Sequence, residues 1–325
     1  MNSSLSNRAS PANSSAPAVA SRRYDLIAID LDGTLLNRVG EPSLANIAAL
    51  HAARAQGLRV IICTGRGLVE CAHVLRAIDQ RDPVVVAGGS IVACPTTSRT
   101  LHRASIDQTI VSETVDALLA HDHAALVLKD PVEAGYDYLV IQGERRVPLD
   151  PVTKWWFASM NVQVRFADNL ADDPHPEHTV RVGACGISGT MSKIRAILNQ
   201  SLGDRAFVHH FPAVVAPDDA SLVKHDHPQR ADAHDRKLHV LEVFDPRANK
   251  WDALQHVARQ FNIQPSRIAA IGDEINDVAM LKGAALGIAM ANAVPEVKAV
   301  AHKHTHHHDH DGVAHAINKL LTGEW

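Results

Sequence analysis

The chain has 325 residues, a formal net charge of −4 with histidine neutral, and 46% hydrophobic and 21% charged residues. That length fits about two domains, and the apolar share is enough to bury a core, which excludes a disordered or fibrous chain. The acidic balance and the 4% aromatic content exclude a general nucleic-acid binder, which needs cations for phosphates and rings for bases.

Residues 1–22, rich in Ser, Ala, Asn and Pro, read as a disordered tail. They lack a basic start followed by an apolar block, so a secretory leader is not expected and a cytoplasmic location is. No run approaches the ~18 apolar residues of a membrane span. Cys63, Cys71, Cys94 and Cys185 are scattered, with no metal-ligand spacing, and read as reduced thiols.

The segment 24–31, YDLIAIDL, is a short apolar run ending in carboxylates, as expected of a parallel strand buried on both faces. Residues 42–56 carry apolar side chains at helical spacing, with Pro42 in the first turn and Gly57 at the end. A strand at 58–63, a helix at 68–77 and a strand at 83–87 follow. This alternation predicts a doubly wound parallel sheet. From 88 to 244 the pattern loosens. Helices are expected at 107–120, 151–160 and 190–200, and strands at 124–128, 138–141, 162–166, 180–187 and 206–211. We read this stretch as an inserted α+β domain, with 218–237 as a polar surface loop. The first pattern is expected to return with a strand at 239–244. After it come a helix at 250–261, a strand at 267–272, a helix at 275–282, a strand at 285–289 and helices at 295–300 and 313–321. The expected organisation is therefore a core of 23–87 and 245–325 around an insert of 88–244.

Four motifs carry chemistry. Asp30 and Asp32 sit two residues apart at a strand end and point the same way. Close carboxylates repel unless a proton or cation separates them, and a hard ion such as Mg²⁺ resolves this. Thr64-Gly65-Arg66, after an apolar strand, offers a hydroxyl and backbone N–H groups to an anion. Lys250 begins a helix and supplies a fixed positive charge. Gly272-Asp273-Glu274-Ile275-Asn276-Asp277 adds two acids and an amide at another strand end. Each alone reads equally well as turn or cap residues. Four in this order, each near a predicted strand end, make that bland reading untenable.

DLDGTLL, TGR, Lys250 and GDEINDVAML together resemble the four motifs of the haloacid dehalogenase superfamily, in its Cof-type phosphatase subfamily. The resemblance covers roughly 24–87 and 238–321 and reaches the middle only by length and position, as a cap. It implies a phosphatase for small phosphorylated metabolites, sugar phosphates or phosphorylated cofactors, with no nucleic-acid or membrane partner. It implies Asp30 as nucleophile, Asp32 as general acid and base, and Mg²⁺ held by Asp30, the Asp32 carbonyl and Asp273, with Asp277 nearby. Thr64, Gly65, Lys250, Asn276 and the Leu31 N–H would hold the phosphoryl group. Gly88-Gly89-Ser90 and Asp245-Pro246 depart from the subfamily pattern, so the place of Lys250 rests on spacing and on the helix after it. A phosphoryl transferase or mutase on the same core, and a non-catalytic phosphate-binding regulator, are the rival readings. Asp130, Tyr136, Trp155 and Arg181 are candidate substrate contacts for which structural roles are favoured. The histidine run 302–310 reads as a polar loop in preference to a metal site. Composition and motifs leave the oligomeric state open.

Overall fold

The structure is a computed structural model and describes residues 22–212 and 238–325. The expected tail up to residue 21 and the polar loop 218–237 lie outside the described residues. In chain order the first elements are β1 (Leu26–Ile29), α1 (Leu44–Ala55), β2 (Arg59–Ile62), α2 (Leu68–Ala77) and β3 (Val84–Val86). They continue with β4 (Ile91–Ala93), β5 (Thr100–Arg103), α3 (Gln108–Ala120), β6 (Ala125–Lys129), α4 (Pro131–Ala134) and β7 (Tyr138–Ile141). Next are α5 (Pro151–Ser159), β8 (Val164–Ala167), β9 (Thr179–Ile187), α6 (Ser188–Leu202), β10 (Phe207–Pro212) and β11 (Leu238–Phe244). The chain closes with α7 (Lys250–Gln260), β12 (Ile268–Gly272), α8 (Val278–Gly283), β13 (Leu286–Ala289), α9 (Pro295–Val300), β14 (Lys303–His304) and α10 (Gly312–Leu321).

Five strands form one parallel sheet in the order β14-β13-β12-β1-β2. Every residue of β1 is fully buried, because helices cover both faces and a strand so placed must be apolar throughout. Helix starts are set by side-chain caps: Ser43 accepts the N–H of Asn46 before α1, and Asn249 accepts that of Asp252 before α7.

A second sheet has six strands in the order β10-β11-β9-β6-β7-β8, antiparallel except for β7 with β8. With α3 and α6 packed on it, this is the inserted α+β region. A three-stranded antiparallel sheet, β3-β4-β5, lies between the two.

Three expectations need correction. The strand at 83–87 does not extend the parallel sheet as a full member. It touches β2 through one parallel bridge, Cys63 with Val85, and hairpins onto β4. The sequence reading missed β4 and β5, each too short to show a period. The strand at 239–244 is not the return of the core pattern: β11 pairs with β10 and β9 inside the six-stranded sheet. The run 302–310 is more than a loop, since Lys303 and His304 form β14 on the edge of the parallel sheet beside β13. Among the described residues, no helix is long and apolar enough to cross a membrane.

Candidate active site

The carboxyl ends of β1, β2 and β12 meet at one edge of the parallel sheet. β1 lies between the other two, with Ile29 opposite both Ile62 and Ile271. Asp30 and Asp273 follow their strands directly and Thr64 follows β2 after Cys63, so the register brings them to one place, the usual ligand edge of an open α/β sheet.

After Asp30 the chain makes a single wide turn, closed by Leu35 N–H to Asp30 O at 3.3 Å and Leu36 N–H to Leu31 O at 2.9 Å. Gly33 has φ +74° there, and a Cβ on it would stand 2.2 Å from Asp273 Oδ2. Only glycine allows this approach. Thr34 Oγ1 donates to Asp273 Oδ1 at 2.7 Å. Asn292 Nδ2 donates to Gly33 O at 2.8 Å and to Asp273 Oδ2 at 3.2 Å.

Lys250 is completely buried. Its Nζ donates to Asp30 Oδ1 at 2.6 Å, Asp277 Oδ1 at 2.7 Å and Asn276 Oδ1 at 3.2 Å. The other oxygen of Asp277 accepts the N–H groups of Asp273 and Glu274 at 2.9 and 3.1 Å. Gly272 makes room for it: a Cβ there would lie 2.5 Å from Asp277 Cγ.

Asp30, Asp273 and Asp277 bring ligand oxygens within 4.8 Å of one another. Burial, then the charges of Asp277 and Asp273, hold the Asp30 carboxyl well above the usual range against the pull of Lys250. Burial and the Asp277 charge push Asp273 up to about 7. Three carboxyl groups share one ammonium, so the raised Asp30 and Asp273 carboxyls mark a place where further positive charge is favoured. An all-oxygen donor set there suits a hard divalent cation, so the residues present fit Mg²⁺.

Asp32 stands apart from this group. Its carboxylate, 40% exposed, is forked by Arg66, with Nε to Oδ2 at 2.9 Å and the second nitrogen to Oδ1 at 2.5 Å. Thr64 is buried; its N–H bonds Val85 O at 2.8 Å and its Oγ1 accepts the N–H of Arg66 at 3.1 Å. Gly65 borders Asn276, whose Nδ2 would lie 3.9 Å from a Cβ on it. Leu31 is fully buried within the turn.

Thr34, Arg66 and Asn292 belong to the site and escaped the sequence reading. The first two lie inside the quoted motifs DLDGT and TGR, so their positions carried the signal. Asn292, on the turn after β13, lies in the segment GIAMANAVPEVKAVA, which also resembles the subfamily but was assigned no site residue. Asp130 has a structural role: it caps α4 and pairs with Arg103 at 2.9 Å.

The profile of the haloacid dehalogenase-like hydrolase family matches residues 27–205 and 218–317, more than half of the chain. Phosphatase YwpJ of Bacillus subtilis is 27% identical over 312 residues, covering 91% of this chain and 99% of its own. The 5-amino-6-(5-phospho-D-ribitylamino)uracil phosphatase YwtE of the same organism is 28% identical over 318 residues, covering 92% and 99%. Among solved structures, a haloacid dehalogenase-like hydrolase from Bacteroides thetaiotaomicron superposes with a TM-score of 0.70 at 22% identity, covering 91% of this chain and 99% of its own.

Proposed function

The chain belongs to the haloacid dehalogenase-like hydrolase family, and from that premise we propose that it is a Mg²⁺-dependent phosphatase of small organic phosphate monoesters working through an aspartyl-phosphate. The observation that carries the reading is the buried cluster of Asp30, Asp273 and Asp277 around Lys250. Phosphatase names on full-length relatives support the activity, and the name of YwtE, with its phosphorylated ribityl chain, favours a sugar phosphate or similar small phosphorylated metabolite as substrate class.

Asp30, Asp273, Asp277 and the backbone carbonyl of Asp32 would hold the ion. When bound, it would draw charge off the phosphoryl oxygens, worth several kcal/mol of barrier. The Asp30 carboxylate attacks phosphorus, the bond from phosphorus to the ester oxygen breaks, and the leaving oxygen takes a proton from Asp32. A water then gives a proton to Asp32 while its oxygen attacks the same phosphorus. The bond to Asp30 breaks and inorganic phosphate leaves. Lys250 holds Asp30 in place for attack, and Thr64, Gly65, Asn276 and the Leu31 N–H receive the phosphoryl oxygens. Arg66 keeps Asp32 beside the site and releases it when the proton moves.

We assign 23–87 and 245–325 to the catalytic core and 88–244 to a cap that excludes water and selects the substrate. Gly88 and Gly89, at φ +69° and +110°, begin the crossing, and the ring of Phe244 packs against Gly88 where the chain returns.

The test is a panel of phosphate esters with purified protein, with and without Mg²⁺. Asp30→Asn should keep the fold by circular dichroism and lose turnover by at least about 10⁴-fold. A folded Asp30→Asn protein that turns over normally removes the nucleophile, and activity surviving exhaustive chelation removes the ion.

A further inference from the structure

The histidine run lies beside the catalytic edge without belonging to it. His307, His308 and Asp309 bring one ligand atom each within 4.8 Å of one another. We propose that these three residues form a second metal site, for a divalent transition ion of the zinc type, distinct from the carboxylate cluster.

The hydrogen bonds fix which ring nitrogens carry a lone pair. Leu36 O can only accept, so His308 Nδ1, 2.8 Å away, must carry its proton. The Nε2 lone pair is then free. A ring donating its other N–H to a backbone carbonyl is the common second-shell arrangement of metal-bound histidine. The N–H of Asp309 can only donate, so His307 Nδ1, 3.2 Å away, presents a lone pair. That nitrogen faces Asp309 Oδ2 at 3.9 Å. Two acceptors face each other across this gap, too far for a hydrogen bond. Two ligands on one tetrahedral zinc, at about 2.0–2.2 Å each, stand roughly 3.4 Å apart, so a shift of about half an ångström brings this pair to ligand spacing, and His308 must close in from within 4.8 Å. The ion would replace the long bond from Asp309 N–H. Imidazole nitrogens with one carboxylate favour zinc, nickel or copper over Mg²⁺, which separates this site chemically from the all-oxygen cluster.

Its position gives it a consequence. The N–H of Arg38 bonds Asp309 Oδ1 at 2.9 Å, and Leu36 bonds His308, so the site grips the loop leaving the Asp30 turn. The N–H of His308 bonds Asn292 Oδ1 at 3.1 Å, and that amide reaches Gly33 and Asp273. An ion here would fasten the C-terminal segment to the rim of the catalytic cluster.

The experiment titrates untagged full-length protein with zinc chloride by calorimetry and with cobalt chloride by visible absorption. The background is Asp30→Asn/Asp273→Asn, which weakens binding at the carboxylate cluster. One equivalent with cobalt bands of tetrahedral nitrogen–oxygen ligation is expected. His308→Ala should weaken it at least about tenfold. Asp309→Asn should do the same while keeping an acceptor for Arg38, so a loss there is not a folding defect. His304→Ala/His306→Ala and His178→Ala should leave the affinity unchanged. Binding that follows His304 and His306, or follows His178, overturns the site, as does the absence of any saturable equivalent.

Discussion

Lys250 occupies the first position of α7, where a positive charge opposes the helix dipole. It is also fully buried, and burial alone would strip its proton. Asp277 and Asp30 outweigh both effects and hold the ammonium above the ordinary lysine range. Removing one partner of a buried ion pair costs roughly 3–5 kcal/mol, because the charge left behind has no solvent. Lys250→Met should therefore lower the stability of metal-free protein by about that amount in urea unfolding, and added Mg²⁺ should restore part of it. An unchanged denaturation midpoint would mean the ammonium does not neutralise the carboxylates. At this scale the sequence was highly informative: Asp30, Lys250, Asp273, Asn276 and Asp277 all reach one place, because each follows or begins an element whose type was readable. The fork of Arg66 on Asp32 was not readable, since a side chain's partner depends on a rotamer that no spacing encodes.

Elements were legible where their period was long and were lost where strands were short. Helix α2 appears at its expected bounds, and α9 also. β4 and β5, of three and four residues, left no pattern. β11 was read as a strand and assigned to the wrong sheet, because a short, mostly apolar run does not say which sheet it pairs in. Its neighbour β10 carries His209 opposite Glu242 of β11, and the residue is only 7% exposed. Burial, then the charge of Lys250, pushes this imidazole down to about 4. The unfolded chain takes a proton near pH 6.5, and the folded one refuses it until about 4. Its contribution is thus complete above pH 6.5 and is lost as pH falls toward 4, up to roughly 3 kcal/mol in all. His209→Leu should flatten the fall in stability between pH 7 and 4.5 relative to wild type, measured by denaturant titration at each pH. Equal losses in the two proteins would exclude His209 as the titrating group.

The two large sheets are joined by a polar network that no motif announced, linking the 65–70 segment to Tyr138, Arg181 and Glu242. Arg181 of β9 donates to Gly65 O at 2.8 Å, to Tyr138 Oη at 2.8 Å and pairs with Glu242 at 2.6 Å. Tyr138 Oη donates in turn to Glu70 at 2.9 Å, and Glu70 accepts the N–H of Gly67 at 2.5 Å. The network thus runs from the inserted sheet to both sides of the Thr64-Gly65-Arg66 turn. Glu70 and Glu242 are buried, and Arg181 is the cation paired with the second and near the first. Arg181→Met leaves two buried carboxylates with one fewer cation, so it should cost roughly 3–5 kcal/mol, most of it desolvation of the orphaned charge and little of it lost contact. That attribution has a distinct signature. If the orphaned Glu242 carries the penalty, then Glu242→Gln added to Arg181→Met should recover at least about 1 kcal/mol, although Glu242→Gln alone destabilises. A double-mutant cycle in urea, read at constant slope, makes the measurement. Simple additivity of the two substitutions would show that Arg181 acts through Gly65 and Tyr138 alone, and would move the joint between the sheets to the turn that carries the phosphate-binding motif.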